Sequence, residues 1–69
     1  MEVKRIEIQR GDKVHTYEVG GYLRFEGQDK DSDIMTEKIV VENNDVSIYF
    51  SKEVAGQKSI TFRNFPFIF

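Results

Sequence analysis

The chain has 69 residues, no cysteine and one histidine, which excludes disulfides, thiolate zinc sites and any multi-histidine centre. Its net charge of −2 is unevenly spread: residues 1–25 hold five Lys/Arg against four Asp/Glu, 26–53 three against eight, and 54–69 two against none. That is well short of the basic footprint of a nucleic-acid protein, and no stretch approaches the roughly 20 apolar residues of a membrane-spanning helix.

The first element is a hairpin. Gly11-Asp12 fits a two-residue loop with glycine at the first central position, the signature of a type II′ turn. A turn there pairs Ile8 with His15, Ile6 with Tyr17, Arg5 with Glu18 and Lys4 with Val19. One face then carries Ile6, Ile8, His15, Tyr17 and Val19, and the other Arg5, Glu7, Gln9, Thr16 and Glu18. A single register both sorts apolar from polar residues and sets opposite charges across from one another.

Gly20-Gly21 marks a bend, and Tyr22 to Glu26 reads as a third strand with Leu23 and Phe25 on one face, Tyr22 and Arg24 on the other. Residues 27–33 form a polar loop. A second hairpin joins Ile34–Val41 to Val46–Ser51 around Glu42-Asn43-Asn44-Asp45, because asparagine tolerates the positive φ of a tight turn. Its register opposes Val41 to Val46 and Ile39 to Ile48, with Phe50 on the same face. Lys52 to Gln57 reads as a connection containing Gly56, and alternation resumes from Ser59 to Arg63, with Ile60 and Phe62 together. In the last stretch Phe65, Phe67 and Phe69 alternate with Pro66 and Ile68, and Pro66, which has no N–H to donate, confines it to a sheet edge or an unpaired extension.

The expected fold is therefore all-β: one domain over residues 1–69, a small antiparallel barrel or sandwich of about six short strands, SH3-like or OB-like in size. No motif is specific enough to name a family.

Catalysis fails on inventory. His15 is the only imidazole and lies near a hairpin tip, and the acids gather in loops where water keeps them ordinary, so no enzyme is expected. Asp29, Asp31 and Asp33 have the spacing of the first EF-hand ligands. The pattern then requires glycine and an acid where Ile34 and Val40 stand, so neither metal nor cofactor is expected. Arg10-Gly11-Asp12 spells an adhesion tripeptide, which the turn chemistry already explains.

Two functional readings remain. The favoured one is a non-catalytic binding module acting through protein–protein contacts, of the kind found among small phage or mobile-element inhibitors and accessory proteins. Its contact surface is expected at Phe65, Phe67, Ile68 and Phe69, with another protein or with a second copy as a homodimer through the C-terminal edge. The alternative is a single-stranded nucleic-acid-binding β-barrel, with Tyr22 as stacking platform and Arg24 as phosphate contact. No signal-peptide pattern is present, so a soluble, cytoplasmic protein that does not contact membranes is the expectation.

Overall fold

The hairpin register follows from the Gly11-Asp12 turn. Gly11 has φ 68°, while Asp12 is not among the positive-φ residues, as a type II′ turn demands. Strand β2 (Arg5–Arg10) pairs antiparallel with β3 (Lys13–Glu18), matching Arg5 to Glu18, Ile6 to Tyr17 and Ile8 to His15. Ile6 and Ile8 are fully buried, and Arg5 lies 3.8 Å from Glu18 in an exposed ion pair. These pairs are the ones the sequence predicts. The computed structural model describes residues 1–24, 30–63 and 67–68, and only the backbone of Arg10, Phe67 and Ile68.

Two antiparallel sheets build the domain. The larger has the order β1-β4-β5-β6, with β1 (Glu2–Val3), β4 (Thr36–Glu42), β5 (Asp45–Val54) and β6 (Gln57–Arg63). The smaller has the order β3-β2-β7, with β7 spanning Phe67–Ile68. No closed barrel is formed by these pairings. Among the described residues no helix is long and apolar enough to cross a membrane.

The chain passes between the sheets three times, from β1 to β2, from β3 to β4 and from β6 to β7. Lys4 alone separates β1 from β2, so one bent segment serves both sheets. On the return, Gly21 N donates to Glu18 O at 2.9 Å and Gly20 has φ 88°, the geometry of a type II turn with glycine at its third residue. Beyond that turn Gly20 N donates to Thr36 O at 2.9 Å and Thr36 N to Gly21 O at 3.0 Å, which fastens the segment to β4.

Of the strand expected from Tyr22 to Glu26, the described residues Tyr22–Arg24 form one bridge, Tyr22 opposite Met35. Ser32 gives the reason. Its Oγ accepts from Ile34 N at 3.2 Å and its own N–H donates to Leu23 O at 2.7 Å. The donor and acceptor that would continue the ladder are thereby taken up locally. Phe25 and Glu26 lie outside the described residues.

The second hairpin keeps its expected register, Ile39 opposite Ile48 and Val41 opposite Val46, around Asn43-Asn44 with Asn43 at φ 56°. The stretch expected as a connection belongs to the two strands, with a register shift in their ladder between Tyr49 and Val54. β5 continues to Val54, β6 begins at Gln57, and the turn between them is Ala55-Gly56, with φ 52° and 80°. Two positive φ values define a type I′ turn, and alanine is an unusual choice at its first position.

One core joins the sheets. Ile6 and Ile8 from the smaller sheet meet Ile39, Val41, Val46, Ile48, Phe50 and Phe62 from the larger. Each fully buried side chain of this size contributes roughly 1.5–3 kcal/mol. Tyr17 and Phe62 add an inter-sheet ring contact, centroids 6.3 Å apart. Thr36 is buried at 1% exposure, and its Oγ1 has no hydrogen-bond partner among the described residues.

The left-handed conformation of Ala55 sets a measurable expectation. A non-glycine residue there costs roughly 1–2 kcal/mol, partly offset in a glycine variant by the entropy glycine loses on folding. Ala55→Gly should therefore raise the unfolding free energy by about 0.5–1 kcal/mol in urea titration, while Ile48→Ala should lower it by about 2–5 kcal/mol.

Candidate functional site

Strand β3 stands at one edge of the smaller sheet and β6 at one edge of the larger. Between β3 and the far end of the β5–β6 hairpin an open groove of about 910 Å³ remains. Ligand pockets commonly fall between about 300 and 1,000 Å³, so this is ample for a peptide-sized guest.

Much of its lining is apolar. Leu23, Phe50, Val54 and Ile60 contribute from the larger sheet and its approach, and Val14 and Tyr17 from β3. Val14 is 57% exposed and Ile60 38% exposed, so this apolar area meets solvent directly. Polar groups lie around it: Lys13, His15 and Arg24 among the charged or basic ones, with Thr16, Gln57 and Ser59 neutral. Among the described residues that line it, none is a carboxylate.

Local chemistry places each of these side chains. The type II turn at Val19-Gly20 turns the chain so that Leu23 packs against the core while Arg24 stays exposed. Arg24 Nε is held by Asp31 Oδ1 at 3.1 Å, an exposed pair. The Ala55-Gly56 turn ends the groove, with Ala55 and Val54 in its wall. His15 is half-buried on β3, opposite Ile8.

The expected site residues divide. Arg24 lines the groove, whereas Tyr22, 57% exposed, does not, so the two halves of the stacking platform are not joined in one cleft. Phe67 and Ile68 form β7, paired to β2 through Ile8 and Glu7, which places them at the outer edge of the smaller sheet. Phe65 and Phe69 lie outside the described residues. Asp31 and Asp33 each face a cation, Arg24 and Lys52 respectively, and Asp29 lies outside the described residues.

Sequence reasoning missed the groove. Ile60 reads as core, and it does lie opposite Ile48, but β6 is the outer strand of the larger sheet and Ile60 stays 38% exposed. Val14 carried a signal: it sits across from Gln9 in line with Thr16 and Glu18, an apolar residue on a polar face.

The chain matches no protein-family model, no curated protein and no solved structure.

Beside the groove, the Lys52 ammonium hydrogen-bonds the Asp33 carboxylate and adds its charge, holding that carboxyl below its ordinary value. The stabilisation this gives is present above the ordinary carboxylate pKa and fades as pH falls through the lowered one. Both partners are exposed, so the effect on stability is small. An NMR titration of Asp33 should show a midpoint below 3.8 in the native protein, returning toward 3.8 in Lys52→Met.

Proposed function

We propose that the chain is a non-catalytic binding domain that receives another protein in the groove between β3 and the β5–β6 hairpin. The observation that carries this is one groove whose lining includes Leu23, Phe50, Val54 and Ile60, with Val14 on the β3 side, Val14 and Ile60 being solvent-exposed. Contiguous exposed apolar surface in a small domain marks an interaction site. A catalytic reading has less support: His15, Thr16 and Ser59 share the groove, but no described lining carboxylate stands ready to orient the imidazole.

The pairings also support a fold proposal finer than two sheets. β2 with β3, Tyr22 with Met35, β4 with β5 and β5 with β6 join segments that follow one another along the chain. Two pairings do not: β1 with β4, and β7 with β2, which returns from the end of the chain to its start. That meander is the order of an SH3-like barrel left open beside β3, and it favours the SH3-like over the OB-like expectation.

A homodimer through the C-terminal edge rests on a different observation. β7 is the outermost strand of its sheet, and a two-residue edge strand presents backbone groups that a second copy could pair across a two-fold axis. A nucleic-acid reading keeps the exposure of Tyr22 beside Arg24 in its favour. If that platform acts, Tyr22→Ala should weaken binding of a thymidine oligomer by about 1–3 kcal/mol.

The groove reading is tested with a photoreactive residue at Val14 and, as control, at Thr61 on the opposite face of the larger sheet. In nuclease-treated native lysate the Val14 derivative should cross-link a protein that the Thr61 derivative does not. Equal labelling from both positions, or none from either, would remove the groove as the contact surface. Sedimentation equilibrium tests the dimer: the full chain should self-associate and Phe67→Glu should not, whereas a full-length monomer at high micromolar concentration ends that proposal.

A further inference from the structure

We infer that the groove is a slot for one strand: its occupant is an extended segment of a partner protein, bare on both sides, that hydrogen-bonds β3 along one rim and β6 along the other. This rests on the protein-binding reading of the groove and names the form of its guest.

The groove borders strand edges. Successive residues of a strand point to opposite faces, yet Lys13, Val14, His15, Thr16 and Tyr17 all line it, as do both Ser59 and Ile60. Only the rim of a strand brings both sets to one cleft. Each rim carries backbone groups directed away from its own ladder. The pair that closes a two-residue hairpin exchanges hydrogen bonds, so Arg10–Lys13, Ile8–His15 and Ile6–Tyr17 are the bonded pairs of β2 and β3. Val14 and Thr16 then turn N–H and C=O away from β2. Glu18 follows the same alternation, its outward carbonyl accepting from Gly21 N at 2.9 Å. On the other rim, Ser51 N donates to Met35 O at 2.9 Å, so odd-numbered residues of β5 face β4 and even-numbered ones face β6. Ile48 therefore bonds Ile60, and Ser59 turns its N–H and C=O outward. Among the described residues no strand pairs with these outward groups of Val14, Thr16 and Ser59.

Topology sets the direction of the guest. From β3 through the bent β1–β2 segment to β4, β5 and β6, every neighbour is antiparallel. β3 and β6 thus run in the same sense, and a strand of the opposite sense between them is antiparallel to both. The edge of a second folded copy does not fit. Its β3 and β6 already have one side taken, by β2 and β5, so either satisfies one rim only. An extended segment bare on both sides satisfies two. About six residues at about 3.3 Å each match the length of β3. Every second side chain of such a strand turns toward Leu23, Phe50 and Val54. Arg24 is already engaged by Asp31, so main-chain bonds and apolar contact select this guest and charge does not.

The test uses the full chain and a pool of uncharged peptides about eight residues long, Val or Ile alternating with Thr or Ser, enough to span β3. Two further pools carry backbone N-methyl groups, one at the Val/Ile positions and one at the Thr/Ser positions, because alternate N–H groups of a strand point to opposite neighbours. Binding is read by amide shifts and hydrogen exchange in the ¹⁵N-labelled protein. The unmodified pool should shift and protect the Val14, Thr16 and Ser59 amides, with little dependence on salt. Each methylated pool should bind about tenfold more weakly or worse. Thr16→Pro removes one outward N–H and leaves the β2 ladder intact; it should weaken binding while the Ile6 and Ile8 amides stay protected. If only one methylated pool loses affinity, or neither does, the two-sided slot is refuted while the protein-binding reading stands. If no pool protects these amides, the slot is refuted as well, and the Val14 cross-link decides separately whether a protein docks there. Protection that appears without peptide and grows with protein concentration gives the site to a second copy and overturns the proposal.

Discussion

Everything in this domain depends on two small sheets sharing one set of apolar side chains. Neither could stand alone. The β2–β3 hairpin buries only Ile6 and Ile8 completely, and isolated hairpins are at best marginal in water. The larger sheet supplies six further buried residues but would expose that whole face without a cover. Bringing the faces together also costs chain entropy. Lys4 alone links β1 to β2, whereas 17 residues separate β3 from β4, and a turn at Val19-Gly20 sets the first of them against Thr36.

The same arrangement leaves gaps. β4 begins at Thr36 opposite Phe50, so the β5–β6 hairpin projects beyond its neighbour as a two-stranded arm. Its tip is a type I′ turn that holds alanine in a left-handed conformation, a local cost borne by the ladder pairs on either side. β3 pairs with β2 on one side, and on the other it faces this arm across the groove. The candidate site lies where β3 and the β5–β6 arm face one another, with Leu23 and Arg24 reaching it after the turn that follows β3.

Ion pairs contribute position more than stability. Arg5 bridges Glu7 at 2.9 Å and approaches Glu18 across the hairpin, while Arg24–Asp31 and Lys52–Asp33 draw the acidic loop toward the sheets. These pairs are largely solvent-exposed, where water and salt screen them and they add little to stability. Their effect on the loop is still structural: two of its carboxylates are matched with cations near the groove, which lowers the negative field that a partner would otherwise meet there.

Local chemistry was readable from the sequence wherever it acts over a few residues. Gly11-Asp12 set the first hairpin and, through period-two alternation, every pair from Arg5–Glu18 to Ile8–His15. Asn43-Asn44 and the Ile-Val-Val run did the same for the second. Ala55-Gly56 gave no signal because alanine is not a turn residue, and the ladder stops at Leu23 and Ile34 because Ser32, nine residues from the one and two from the other, takes the Leu23 carbonyl and the Ile34 N–H. The groove was out of reach for a different reason. Val14, Leu23, Val54 and Ile60 lie far apart in sequence, and each is consistent with ordinary strand patterning. Whether an apolar side chain ends in a core or at an open face depends on where the neighbouring strand stops, and that is settled by the docking of the two sheets.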